Sequence, residues 1–457
     1  MIGRQRGVRS ECDTASTKHS QDPRGRTKRS TQGRHHAHSC TPQTQPTQTR
    51  LSRVNLKSKL PPRFQKYASF GAIPKLLFLP IATSFVVLIF MTRPFVIIQI
   101  YSLDWQLGHL IAMSHANELR NKNWNKLHRR KKISIYCING PIASCYAFRK
   151  LRESVLIYQG NFAWLLIKIS KHVPQIRVYF SDDRDFGTNY ESAPLVKFNK
   201  YEIENGFNLI GRYKPLVCLN VRDSAYNTYL RNELGLSVNN WTNRNSDINT
   251  YVGAGEFLTN SGYTVFRMGA KVESSFSSAN PKIIDYAKNG MRTEFLDFYL
   301  AQECAFAIST GSGWDEIATM FNRPLLLINN YDFLMTLNKN CVVYPKLLFD
   351  SHKDRFLTLS ETLDLHLSGK TNQKKYSLQE LGIEVRDLSP EELVDSVAEM
   401  VQRVNARFVE TPEQKEFRSK LNCIFSEHPK LKPFLKKGPI KSNFASCILN
   451  HHPNFCN

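Results

Sequence analysis

Four short runs in the second half of the chain, LVCLNV (216–221), YTVFRM (263–268), AFAIS (305–309) and LLLIN (325–329), are apolar at nearly every residue rather than at alternate ones. Such strands must be covered on both faces, which a parallel sheet flanked by helices provides. Helical periodicity between them predicts helices over 248–260 and 293–303 and a short one from Trp314. The second half therefore reads as a doubly wound, Rossmann-like α/β sheet. Upstream, FVIIQI (95–100) and ISIYCI (133–138) bracket a helical pattern over 107–122, and FAWLLIKIS and IRVYF continue the apolar alternation up to SDDRDFGTNYES. That stretch opens a boundary region over 182–215. No internal repeat is visible. Open α/β sheets bind ligands beyond the carboxyl ends of their strands, so the chemistry belongs in the strand-to-helix loops.

The chain has 457 residues, 41% of them hydrophobic, enough for two or three packed cores and too many for a wholly disordered or fibrous protein. Its net charge of +23 is uneven: residues 1–70 hold 15 Lys and Arg against Glu11, Asp13 and Asp22, about half of the total. This arm, with RGRTKRSTQGRHHAHS and almost nothing apolar before Leu51, cannot offset its ordering entropy by burial and is expected to be disordered. A basic arm suits nucleic acid, anionic lipid or an organelle signal, or results from a start codon set too far upstream. No nucleic-acid motif accompanies the charge, so no specific nucleic-acid partner is expected.

The most apolar stretch runs from Leu76 to Met91, followed by Arg93 and FVIIQI. As a helix it reaches only ~24 Å, short of the ~30 Å hydrocarbon core. Extension to Ile100 supplies length but places Arg93 inside. Residues 71–100 are therefore expected to be a membrane-associated segment, as a marginal span or an interfacial helix, with a buried core helix as the alternative. The ten cysteines form no C-x-x-C pair, which favours a reducing compartment. Cys447, His451, His452 and Cys456 have zinc-ligand chemistry but sit in a weakly supported tail, and no metal or other cofactor is expected.

The sharpest motif is Ser309-Thr310-Gly311-Ser312-Gly313-Trp314-Asp315-Glu316, between an apolar strand and a helix. Two glycines admit a ligand close to the backbone, helix first-turn N–H groups are unpaired, and three hydroxyls add donors, a set suited to a diphosphate. It is neither a P-loop nor G-x-G-x-x-G, and a capped tight turn is the plain alternative. Arg222, in NVRDSAY at the end of LVCLNV, can grip phosphate oxygens through two parallel hydrogen bonds unless Asp223 neutralises it. Arg267, ending the next strand, holds the equivalent topological place. Arg244 precedes Ser246-Asp247, an N-cap pair, and is a further ligand contact. His109 opens the helix after FVIIQI and is a candidate general base, although a lone His is more often structural. Asp183 and Asp185 form a D-x-D that suits a divalent cation with a diphosphate or, equally, a solvated charge run.

The succession RPFVIIQI–LGHL, VCLNVRDSAY, RNSDINTY, FRMGA, IIDYA, STGSGWDE and RPLLLIN, over roughly residues 75–365, resembles bacterial glycosyltransferases of surface-polysaccharide gene clusters with GT-B-like architecture. The resemblance implies two Rossmann-like domains facing a cleft: an acceptor-side domain over 101–212 and a nucleotide-sugar-binding domain over 213–410, with a helical or irregular tail over 411–457 outside the pattern. It implies metal-independent transfer of a sugar from a nucleotide-sugar donor to a saccharide or lipid-linked saccharide acceptor. Arg222, Arg267 and the 309–313 turn would surround the diphosphate, with Arg244 as a further candidate ligand contact read from its own position; Glu316 would reach the ribose, and His109 would stand on the acceptor side. It also implies a body at the cytoplasmic face of a bacterial inner membrane, the alternative being a Golgi membrane with a lumenal body. A noncatalytic, membrane-associated protein binding a glycan or nucleotide in the same pocket is the competing reading.

Overall fold

A computed structural model describes residues 79–457, apart from 104–105, 139, 174–175, 179–192, 237–241, 337–339, 370–377 and 432–439. The chain divides into two compact units, Met1–Pro61 and Pro62–Asn457. The first unit and the basic arm over 1–70 lie outside the described residues, as do Asp183 and Asp185.

The second unit is built on two parallel sheets. The chain enters through helix α1 (Leu79–Met91), turns, and runs into β1 (Val96–Leu103), α2 (Leu107–Leu127), β2 (Lys131–Ile138), α3 (Cys145–Arg152), β3 (Leu156–Gln159), α4 (Asn161–Ser170) and β4 (Arg177–Val178). These strands form a four-stranded sheet in the order β3-β2-β1-β4. The largely apolar run FAWLLIKIS falls in helix α4, one face of it buried with Ala82, Val86 and Ile89 of α1.

FVIIQI belongs to β1, so the apolar stretch beginning at Leu76 is broken at Met91 by a turn. The 13 residues of α1 reach ~20 Å, and among the described residues no helix is long and apolar enough to cross a membrane. The marginal-span form of the segment expected over 71–100 is thus not supported by the described residues, which pass from helix to strand between Met91 and Val96. An Arg-Pro step at 93–94 ends the helix and restarts the chain as strand.

Helix α5 (Lys200–Ile210) opens with an Asn199–Glu202 capping box and leads into the second sheet. That sheet contains β5 (Leu216–Asn220), β6 (Thr264–Arg267), β7 (Ile283–Ile284), β8 (Phe306–Ser309), β9 (Leu325–Asn330), β10 (Cys341–Pro345) and β14 (Asn443–Phe444). Helices α6 (Ala225–Asn232), α7 (Val252–Asn260), α8 (Glu294–Glu303) and α9 (Asp315–Met320) connect the earlier strands. The order β14-β10-β9-β8-β5-β6-β7, all parallel, places the first-entered strand β5 between β6 and β8. This is the doubly wound order, with its switch point between β5 and β8.

Beyond β10, β11 (Leu347–Asp350), β12 (Arg355–Phe356) and β13 (Ile383–Arg386) form a small antiparallel sheet. Helices α10 (Leu359–Leu367), α11 (Pro390–Val404) and α12 (Pro412–Glu427) complete the layers, α11 and α12 each starting with a capping box and a proline in the first turn. The tail is not an appendage: β14 pairs with β10, and Phe417, Leu421, Phe425 and Phe444 join the main core. Its would-be zinc ligands are engaged elsewhere, His451 with Asp395 at 2.8 Å and His452 with Glu392 at 2.8 Å. Among the described residues no group of His, Cys, Asp and Glu has metal-site geometry.

Candidate functional site

The register pairs Asn220 with Ser309, so the loops leaving β5 and β8 rise side by side at the switch point. The three hydroxyls of the 309–312 turn are spent on holding these loops together. Thr310 Oγ1 accepts from the Arg222 amide at 3.0 Å, Ser309 Oγ from the Gly311 amide at 3.2 Å, and Ser312 Oγ from Asn220 Nδ2 and from the Trp314 amide at 3.1 Å. Asp315 folds back to accept from the Ser312 amide at 2.6 Å. The sequence expectation of three hydroxyls facing a ligand is corrected here: Ser309 and Thr310 are buried and off the cavity wall, and of the three only Ser312 lines it. The following helix, α9, has six residues and begins with Asp315 and Glu316, both acidic. It offers an anion less than the motif suggested.

The cationic groups take the larger part. Arg222 is half-buried, and among the described residues its guanidinium makes no hydrogen bond and no ion pair. Burial first, then the neighbouring Arg244 cation, push its pKa down to about 10, against the partial support of Asp332 and Asp223. Asp223 acts on it only through space, its carboxylate accepting instead from the amides of Ala225 at 3.0 Å and Glu273 at 2.8 Å. Arg244 is held by the Gly311 carbonyl at 2.8 Å and by Asp332 at 3.1 Å.

Arg267 is a different case. Its side chain is 0% exposed, 3.1 Å from Asp285 and 3.9 Å from Asp223, and it forms no part of the cavity wall. Ending a strand at the sheet's carboxyl side was not enough to deliver it to the ligand site. Its guanidinium instead ties together the loops that follow β5, β6 and β7.

The first sheet supplies the opposite wall through the start of α2. A Cβ on Gly108 would lie 2.7 Å from Gly313 Cα, and one on Gly313 would lie 2.8 Å from the Gly108 amide nitrogen. Two side-chain-free residues are therefore required where the backbones meet. A buried polar ladder fixes α2 to its own sheet: Asn117 and Asn121 donate to Ser134 Oγ at 2.6 Å, Asn117 also to Tyr136 at 2.8 Å, and Tyr136 to Glu118 at 2.8 Å. Burial raises the Glu118 pKa. The 21-residue helix thus presents its first turn, without a side-chain cap at Gln106, to the space between the sheets.

That space is a cavity of about 720 Å³. Its wall includes His109 and Ser144 from the first half, and Arg222, Arg244, Gly311, Ser312, Gly313 and Glu316 from the second. Sequence reasoning passed over further wall residues: Tyr226, Lys271, Arg292, Glu294 and Asp297. Thr293 caps α8, and Arg292 and Glu294 flank it, so the rule that strand-to-helix loops carry the site would have found them. Asp297 lies one turn further on, where sequence gives no sign of exposure to a cavity. Burial raises its pKa to about 6, opposed by Arg292 at 2.7 Å and by the Tyr286 hydroxyl at 3.1 Å. Glu294 accepts from the Tyr146 amide at 2.8 Å, a second link between the halves.

The fold and site thus define a class: a doubly wound α/β protein whose switch-point crevice, closed by a second parallel sheet, presents a guanidinium unpaired among the described residues. No family model and no curated protein matches the chain. Among solved structures it is similar to a glycosyl transferase family 9 protein from Veillonella parvula DSM 2008, at 12% identity and a TM-score of 0.37 over 66% of this chain and 96% of that one. It is also similar to the iron-containing dodecameric glycosyltransferase TibC from enterotoxigenic E. coli H10407, at 15% identity and a TM-score of 0.26 over 50% of this chain and 57% of that one. Likenesses this distant leave the activity to be argued from the site itself.

Proposed function

We propose that the chain is a GT-B-like glycosyltransferase that moves a sugar from a nucleoside-diphosphate donor to a hydroxyl of a saccharide or lipid-linked saccharide. The observation that carries this reading is Arg222: a half-buried cation on the cavity wall whose guanidinium makes no hydrogen bond and no ion pair among the described residues, at a strand's carboxyl end, in a cavity large enough for a nucleotide sugar. A partly desolvated charge without an ion pair costs free energy, and an anionic ligand in the cavity would offset it.

In the proposed reaction the acceptor oxygen attacks the anomeric carbon, and the bond from that carbon to the diphosphate oxygen breaks with its electron pair passing to the diphosphate. Arg222 meets that developing charge, with Arg244 behind it, which supplies the electrostatic stabilisation without a divalent cation. The acceptor proton passes to His109 on the opposite wall. Glu316 reaches the donor ribose.

A thermal-shift screen of nucleoside diphosphates and their sugars tests the reading, since a ligand at a hundred times its Kd adds ~2.7 kcal/mol of stability. The matching ligand should raise Tm for the native chain and not for Arg222→Ala. Turnover should survive EDTA, and Arg222→Lys, which keeps the charge but not the two-point contact, should fall ~10²–10³-fold in kcat. Undiminished turnover by Arg222→Lys together with loss of activity in EDTA would refute the mechanism and return the site to Asp183 and Asp185. Diphosphate binding without transfer to any saccharide would favour a noncatalytic binding protein.

A further inference from the structure

Helix α1 has the wrong surface for a helix facing water. Ala82, Val86 and Ile89 are buried against α4 and the sheet, yet Ile81, Val87, Leu88, Phe90 and Met91 are exposed, and Phe95 follows at 77% exposure. LPIATSFVVLIFM contains no charged residue, whereas a water-facing helix normally carries its charges on this side. A contiguous exposed apolar surface of this kind marks an interaction site.

The charge beside it narrows the partner. At Arg93 and Pro94 the chain turns into β1, whose first residue Val96 pairs with Lys131 and whose second, Ile97, pairs with Lys132. Phe95 therefore stands next to Arg130 at the amino-terminal end of the sheet, close to exposed Arg129 and Lys131 and to Leu127, which is 81% exposed. Half-buried Trp124 stacks on His128 at 3.5 Å and lies under the Lys132 ammonium at 3.6 Å. From Leu119 to Arg152 the chain has no Asp or Glu.

We propose that this face, the outer side of α1 with the amino-terminal ends of β1 and β2, docks on a bilayer carrying anionic headgroups, α1 lying in the interfacial plane. Apolar side chains enter the acyl boundary while the adjoining Arg and Lys meet headgroup phosphates. A second copy of the chain is the poorer occupant, because a twofold contact would set this like-charged cluster against itself. The cavity opens at the carboxyl ends of the strands, the other end of the sheet, and stays accessible to a water-soluble donor.

Cosedimentation of the full-length protein with phosphatidylcholine vesicles, with and without phosphatidylglycerol, tests this surface independently of activity. The native chain should partition into the anionic vesicles and release as salt rises. Each basic side chain near an anionic surface contributes about fivefold to partitioning, so Arg129→Gln with Arg130→Gln should weaken binding roughly twenty-fivefold. Leu88→Asp with Met91→Asp should abolish it. All four positions are exposed, so Tm should hold, and the basic arm is the same in every variant. Equal binding by the native chain and both double variants would assign any lipid affinity to the arm and overturn the proposal. So would no binding to anionic vesicles, or a concentration-dependent dimer that the Leu88→Asp, Met91→Asp pair dissolves.

Discussion

The two parallel sheets follow one construction rule and treat their surroundings differently. Strands β5, β6, β8, β9 and β10 of the larger sheet are buried at every residue. In the smaller sheet β1 is only half-buried along its first four residues, β2 is largely exposed over its first three, and three of the four residues of β3 are exposed. The larger sheet behaves as an insulated scaffold whose loops hold the cation site. The smaller one is sealed where it meets the cavity and open where it starts. Burial concentrated at the carboxyl ends of β1 and β2 is what α2 needs to bring Gly108 into contact with Gly313.

The comparison can be broken most directly by truncation in the strands. Leu326→Ala in β9, at a fully buried position, should cost ~2–5 kcal/mol, whereas Ile133→Ala in the exposed start of β2 should stay within about 0.5 kcal/mol. Urea unfolding of both variants measures this, and equal losses would remove the contrast. Gly313→Ala should come next, at ~1–3 kcal/mol, because its Cβ meets backbone rather than a yielding side chain. Nucleoside-diphosphate affinity should fall with it, read by titration calorimetry, and an unchanged affinity would mean that the halves need not touch for the site to form.

The smallest effect concerns acid. In α10, His366 lies 5.4 Å from the rings of Tyr331 and Phe333, and burial holds its pKa down to about 4. The neutral form is the folded form, so its contribution to stability is complete above the ordinary value near 6.5 and is lost as pH falls from there towards 4. His366→Leu should flatten that part of the Tm-versus-pH curve, and an unaltered acid limb would place the sensitivity elsewhere.

The larger sheet was legible because its strands are apolar at every position and its helices carry caps such as Thr293, both local signals. The smaller half was harder to read. FAWLLIKIS is apolar enough for a strand, and only its packing between the sheet and α1 makes it a helix. Helix α2 buries Asn117 and Asn121 where periodicity expects apolar residues, a pattern explained only by the facing Ser134 and Tyr136. In the site, Arg222, Arg244, His109 and residues 311–313 line one cavity, because topology alone brings strand-end loops together, whereas Ser309 and Thr310 are buried behind it. Arg267 shares the topological position but turns inward to Asp285, and the direction of one side chain at a strand's last residue is set by partners 18 residues away, beyond any local signal.

The pairing of β14 with β10 has a consequence for biosynthesis. Residues 443–444 supply the edge strand of the large sheet, and the Phe455 carbonyl accepts from the Leu359 amide at 2.7 Å, so this late segment closes structure laid down about a hundred residues earlier. During translation the Cys341–Pro345 edge is complete well before its cover exists, and an uncovered edge is a template for another chain. The order of synthesis thus sets a vulnerable interval that lasts until residues 443–444 are made and paired. A message or protease that removes the chain beyond residue 442 would make that interval permanent, yielding molecules with an intact cavity and a tendency to associate edge to edge.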